Sequence, residues 1–342
     1  MKLLFIVPRF HINLSYRLEA LQKAGHDVSL AVLYRGGSES LGSISPAVIG
    51  SAFSPHTIPS PIKLLKTIRA THPEVVFIRG YKSFFTLIAI VIVRLTGKRT
   101  MLLVQTDKHD GNGVYRRTAL FIMSRIFNIE RVISPLKNSR SSHNSIFTYV
   151  PFVISPAVCK NRFSNNKIHI MTVGKFQPRK GHILLLKTFK RLIEEGGDAH
   201  LTIVAQAHDD TEEENIRTFV KNHNLNEHVT ILTHLSHDQV RERYCEHDLF
   251  VLPSWNEPAA FSPLEAMAAG LPVIVSDTCG TKCYIEEGVN GYIFKSKDEE
   301  DLFDKIKQIM ATDSLKFGRQ SLRIVNENHS LDNYAKTINT IL

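Results

Sequence analysis

Two successive series of alternating strands and helices predict an α/β protein with two doubly wound parallel-sheet domains. Three observations carry this expectation. Short apolar runs of strand length alternate with amphipathic helical stretches through both halves of the 342 residues. A stretch with two prolines and three asparagines, residues 151–166, interrupts the alternation where a linker is expected. The segment 249–277 reads as strand, polar loop, helix and strand, the grammar of a βαβ unit.

In the first half, strands are expected at 3–7, 28–33, 75–79, 100–105 and 131–134. Helices are expected at 14–24, 62–70, 84–95 and 117–127, and Gly25 follows the first of them as a stop. The chain begins like a secretory signal, but Pro8 and Arg9 end the apolar run, so residues 3–7 read as a buried first strand. The most apolar run, 84–93, is closed by Arg94. It falls short of the roughly 20 residues a membrane span needs and reads as a core helix. After the linker, strands are expected at 168–173, 201–205, 229–232, 249–254 and 272–277. The intervening helices are 183–194, 212–222, 237–245 and 262–270, with Asp209 and Asp210 as caps of the second. A last helix at 334–342 is expected to pack back on one of the two domains, with the first as a candidate. The expected division is 1–155, 156–325 and 326–342.

The net charge of +9 and a pI near 9.3 point to an acidic partner such as a phosphate-bearing substrate, an anionic membrane or nucleic acid. The basic residues are scattered rather than clustered with aromatics, which disfavours nucleic acid. Four cysteines, none at zinc-ligand spacing, read as thiols in a reducing cytoplasm. No Gly-x-Gly-x-x-Gly follows the first strand, which disfavours a dinucleotide-dependent dehydrogenase.

The βαβ unit places Glu257 and Glu265, with seven residues between them, where such units hold ligands. Glu265 has two readings. Ser262-Pro263-Leu264-Glu265 forms a capping-box pattern, and the same carboxylate is also placed to contact a ligand. Glu257 has no comparable local role.

Three motifs stand in order along the second half. They are Val173-Gly174-Lys175-Phe176-Gln177-Pro178-Arg179-Lys180-Gly181, Glu265-Ala266-Met267-Ala268-Ala269-Gly270-Leu271-Pro272-Val273-Ile274, and Gly288-Val289-Asn290-Gly291-Tyr292-Ile293-Phe294. With the paired glutamates they resemble the retaining family 4 glycosyltransferases. That resemblance implies the GT-B fold, two Rossmann-like domains facing a cleft, with an acceptor domain first and a nucleotide-sugar domain second. The first half matches only in its strand–helix pattern.

By this resemblance Lys175 and Lys180 hold the donor diphosphate, helped by Arg179, with Lys175 standing where the family more often has arginine. The helix start at Ser262 adds its dipole. Glu265 accepts from the ribose hydroxyls, and Glu257 faces the donor sugar. The loop 257–262, with Phe261 and Ser262, sets donor specificity, and Thr233 lies in the nucleobase region. On the acceptor side stand His11 and Asn13, and after the fourth strand the catalytic candidates Asp107 and His109. The implied activity is transfer of a sugar, with retention, to a glycan or lipid-linked acceptor of the cell surface. No metal and no cofactor are expected, because no Asp-x-Asp ends a strand and lysines can take the diphosphate charge. The basic residues of 62–69, with Arg116, Arg117 and Lys137, suit peripheral contact with anionic lipid, so a cytoplasmic place at the inner face of the cell membrane is expected. A sugar-nucleotide epimerase and a non-catalytic partner subunit are the alternatives.

Overall fold

A computed structural model describes residues 1–34, 44–51, 57–81, 83–105, 113–137, 146–157, 159, 167–206 and 209–342. The chain divides into two compact units, Met1–Val153 with Asn328–Leu342, and Ile154–Glu327.

The first unit opens with β1 (Lys2–Val7), α1 (Ile12–Lys23), β2 (Asp27–Val32) and β3 (Ala47–Val48). It continues through α2 (Pro61–Thr71), β4 (Val75–Arg79), α3 (Phe84–Leu95), β5 (Arg99–Leu103), α4 (Gly113–Phe127), β6 (Ile129–Ser134) and β7 (Phe147–Tyr149). The strands form one sheet in the order β3-β2-β1-β4-β5-β6-β7, with every pair parallel. Both faces are covered, so β1 is buried from Leu3 to Val7 and reads as an unbroken apolar run. Helix starts are set by short polar caps. Ser60 Oγ accepts from Lys63 N ahead of α2, and Ser83 Oγ accepts from Thr86 N ahead of α3.

The second unit contains β8 (Ile168–Lys175), α5 (His182–Glu194), β9 (Ala199–Gln206), α6 (Asp210–Asn222), β10 (Val229–Leu232) and α7 (His237–Tyr244). There follow β11 (Leu249–Leu252), α8 (Ser262–Ala268), β12 (Val273–Ser276), β13 (Gly291–Phe294), α9 (Glu299–Met310) and α10 (Ser314–Asn328). Its parallel sheet runs β10-β9-β8-β11-β12-β13. Asp209 caps α6 as expected, accepting from Thr211 N and Glu212 N. Phe176, Leu185, Phe189, Ile203, Val251 and Phe294 lie in the core between sheet and helices.

The last helix, α11 (Leu331–Asn339), belongs to the first unit and packs on α1. It begins three residues before the expected start, where Ser330 Oγ caps it through Asn333 N. β3 and β7 are too short to carry a two-residue alternation, and nothing in the sequence reading anticipated them. In each sheet the chain starts centrally, steps outward, and returns to the other side of its first strand. The two resulting switch points lie between β1 and β4 and between β8 and β11. Ligands of such sheets bind outside the carboxyl ends of the strands at these points.

Candidate active site

In the second unit the two loops that leave the switch-point strands are stitched together. β8 ends at Lys175, Phe176 turns into the core, and Pro178–Lys180 make a single 3-10 turn. Gly181 closes that turn at φ +73, where a Cβ would stand 2.3 Å from the Pro253 carbonyl oxygen. Only glycine permits both the left-handed backbone and this approach to the end of β11. Trp255 N donates to Arg179 O at 3.0 Å, which fixes the second loop against the first.

This arrangement delivers two cations to one carboxylate. Lys180 Nζ donates to Glu257 Oε2, and Arg179 Nη1 donates to the same oxygen at 2.9 Å and to Asn256 O at 2.8 Å. The Lys180 and Glu257 side chains are each 12% exposed, so the pair is largely withdrawn from water. The Glu257 backbone is held from the far side, where its carbonyl accepts from Gly280 N at 2.8 Å. Lys180 passes over Gly174, whose missing Cβ would meet the lysine Cδ at 3.4 Å. Beneath it, His182 is fully buried and its Nε2 donates to Lys175 O. Burial first, and the nearby Lys180 charge second, push this imidazole down to about 4, so it is neutral and structural. Gln177 Oε1 and Ser254 Oγ are buried beside these loops without a hydrogen-bond partner among the described residues. Cys279, whose backbone bridges to Glu257, is not a nucleophile, because burial pushes its thiol up to about 11.

Glu265 is held separately. Its Oε1 lies 2.7 Å from His237 Nε2, and its Oε2 accepts from Tyr244 Oη at 3.1 Å. Both partners stand on α7, seven residues apart and therefore on one face. Burial, then the Glu265 charge, raises the Tyr244 hydroxyl well above the ordinary tyrosine range, so it stays a donor. The capping-box reading of Glu265 is wrong. The N-cap position is Phe261, in helical conformation and without a side-chain cap bond, and Ser262 is already the first helical residue. The shift moves Glu265 one position past the third helical residue that a capping box uses, and α7 claims its carboxylate. The real capping box is on α7 itself, between Ser236 and Gln239.

The reading of all four cysteines as thiols is also corrected. Cys159 and Cys245 form a disulfide, with their Cα atoms 5.2 Å apart across 86 residues of sequence. Spacing carried no sign of it, because the fold alone brings α7's C-cap, Cys245, to the segment before β8.

The remaining candidates are spread more widely. Phe261 O accepts from Leu264 N and Glu265 N, starting α8, a helix of only seven residues. Thr233 follows β10, just ahead of His234, which adopts a left-handed backbone at φ 59. His11 and Asn13 belong to the first unit, where His11 Nε2 accepts from Arg9 Nε at 2.7 Å. Asp107 and His109 lie outside the described residues. No group of three His, Cys, Asp or Glu side chains among the described residues could hold a metal ion.

Residues 158–336 match the family described as glycosyl transferases group 1. The chain belongs to that family. The chain is 29% identical to spore coat protein SA of Bacillus subtilis over 178 residues, 49% of this chain and 47% of that protein. It spans about half the length of the Bacillus subtilis relatives it matches. An uncharacterized glycosyltransferase of Haemophilus influenzae is 24% identical over 312 residues, 86% of this chain and 83% of that one. The fold is similar to Anabaena Alr3699/HepE in complex with UDP-glucose, with a TM-score of 0.77, 12% identity, and coverage of 99% and 98% of the two chains.

Among the residues singled out in the sequence, the structure brings Arg179, Lys180 and Glu257 together and holds Glu265 separately. His237 and Tyr244, which hold Glu265, carried no signal in the sequence beyond their common face on an expected helix.

Proposed function

We propose that this transferase moves a sugar from a nucleoside-diphosphate donor to a glycan or lipid-linked acceptor of the cell surface, with retention and without a metal. The observation that carries the proposal is the convergence of Lys180 and Arg179 on Glu257 at the switch point of the second unit. A departing nucleoside diphosphate gains negative charge as the glycosidic bond breaks, and preorganised cations in a site shielded from water stabilise it. Lys180, Arg179 and Lys175 supply that charge. Before the donor arrives, Glu257 keeps the cations in place. Once the diphosphate takes them over, the carboxylate is released to accept from sugar hydroxyls and to face positive charge at the anomeric carbon. Glu265, fixed by two donors from α7, is set to accept from the ribose hydroxyls. Phe261 and Ser262 stand at the donor sugar, and Thr233 near the base. Retention follows from front-face attack, with the departing phosphate taking the acceptor proton. Asp107, His109, His11 and Asn13 serve the acceptor side.

The protein is proposed to work at the cytoplasmic face of a membrane. No helix among the described residues is long and apolar enough to cross one. On α3, however, Phe84, Leu87, Val91 and Leu95 recur at helical spacing and are exposed, as are Phe121, Ile122 and Ile126 on α4. Exposed Arg94, Arg125, Lys63 and Lys66 accompany them, which suits an anionic lipid surface.

Incubation with UDP-, GDP-, ADP- and dTDP-sugars and lipid-linked or glycan acceptors, with and without EDTA, tests the proposal. Turnover that survives EDTA and yields the donor's anomer supports it. Dependence on a divalent ion, or epimerised donor without acceptor, contradicts it.

A further inference from the structure

Beside the switch point of the first unit lies a small cavity at the carboxyl ends of β4 and β5 and the first turns of α1. Asn13, Arg17, Arg79 and Gln105 supply its polar lining. Arg17 is only 9% exposed. Its guanidinium carbon lies 5.3 Å from the Phe152 ring centre and 5.9 Å from that of Tyr334, so it is packed between aromatics but not neutralised. Arg79 is half-buried at the end of β4, and Nη2 donates to Gln105 Oε1 at 3.3 Å. Neither arginine makes an ion pair among the described residues. Arg9 adds a third positive charge nearby. Burial first, then Arg17 and Arg9, push Arg79 down to about 10. The first turn of α1 contains no acidic residue to offset this charge.

Buried charges in proteins are ordinarily paired, and repulsion between neighbouring cations adds to the cost of leaving them unpaired. A guanidinium matches the oxygens of phosphate in a bidentate fork, and two of them match a dianion. We infer that this cavity binds a phosphate group of the acceptor, carried on a sugar phosphate or on a lipid-linked diphosphate. The word acceptor rests on the transferase reading above. The phosphate site itself rests only on the two arginines and their place in the sheet.

Calorimetric titration of the full chain tests the inference with four probes: glucose 1-phosphate, inorganic phosphate, glucuronate and glucose. UDP, GDP, ADP and dTDP are titrated in parallel. Both phosphate probes should bind the wild type and Lys180→Met, while glucose should not. Arg79→Gln should weaken glucose 1-phosphate about tenfold or more while leaving nucleotide affinity unchanged. Arg79→Lys, which keeps the charge but loses the fork, should fall between the two, and circular dichroism reports whether each variant is folded. Equal binding by a folded Arg79→Gln, equal binding of glucose, or tighter binding of glucuronate than of glucose 1-phosphate would overturn the site. Loss of phosphate-probe binding in Lys180→Met alone would move the site to the second unit and overturn it too. If none of the four nucleotides binds the wild type while the phosphate probes do, the donor reading fails and this site stands.

Discussion

Both units gather cations at the switch point of a parallel sheet, and they treat those cations in opposite ways. In the second unit Lys180 and Arg179 share one carboxylate, Glu257, and the Lys180–Glu257 pair is largely shielded from water. In the first unit Arg17 and Arg79 have aromatic and amide neighbours but no carboxylate among the described residues. An internally paired site is rigid before ligand arrives, and its ligand must compete with the protein's own anion. An unneutralised site awaits charge from outside. One sheet topology therefore yields a preorganised centre in one unit and a receptive one in the other.

Glu257 gives the largest test of this contrast. Glu257→Gln removes the internal competitor, so nucleoside diphosphates should bind as well or better. Turnover should nevertheless fall about 10²–10³-fold, the usual loss for one electrostatic group in a transition state. Initial rates and calorimetry on the same preparation would separate the two effects, and a parallel loss of binding and rate would erase the distinction drawn between the units.

Acid should also separate the units. Burial pushes His182 and His247 in the second unit, and His329 in the first, down to about 4, against an ordinary value of 6.5. These folded values are depressed. Between pH 6.5 and 4 the unfolded chain therefore binds more protons, and stability is complete above pH 6.5 and drains as pH falls. By pH 5 each histidine costs ~2 kcal/mol, from 1.36 kcal/mol per unit of the window crossed. The second unit should lose about twice as much as the first. Hydrogen exchange resolved by segment at pH 7 and pH 5 would show the asymmetry, and equal loss in both would remove it.

The Cys159–Cys245 disulfide lies in the second unit and ties down the end of α7, whose His237 and Tyr244 hold Glu265. Cys245→Ser or reduction should lower stability by ~2–4 kcal/mol and shift melting accordingly. Phosphate binding in the first unit should not change. A reducing cytoplasm would keep the pair as thiols, which thiol trapping in cells would reveal. The smallest effect concerns the membrane. Leu95→Asp on α3 should reduce co-sedimentation with phosphatidylglycerol vesicles several-fold, at unchanged melting temperature, since Leu95 is highly exposed.

The same contrast explains what could be read from the sequence. The second unit's cations and carboxylates lie in two short segments, 173–181, a strand end with its following loop, and 256–270, a loop with the helix it enters, so local order displayed them. The strand–helix alternation was legible for a similar reason, since parallel strands buried on both faces are continuous apolar runs. The first unit's site joins a residue inside α1 to the last residue of β4, and nothing local marks either arginine. His237, Tyr244 and the disulfide were hidden in the same way, because contacts across tens of residues exist only once the sheet is assembled. The capping alternative for Glu265 was open in the sequence because its pattern is locally complete. The helix starts one position earlier than that pattern requires, and α7 provides the partners that decide its role.

Lys180, paired with Glu257, is the cation proposed to hold the diphosphate. Calorimetric titration of UDP, GDP, ADP and dTDP into the wild type and Lys180→Met measures that role without any acceptor. One of these nucleotides should bind the wild type and bind the variant about 10- to 100-fold more weakly, the loss expected for one charge-assisted contact. Equal affinity in the two proteins, or no nucleotide bound by the wild type, would contradict it.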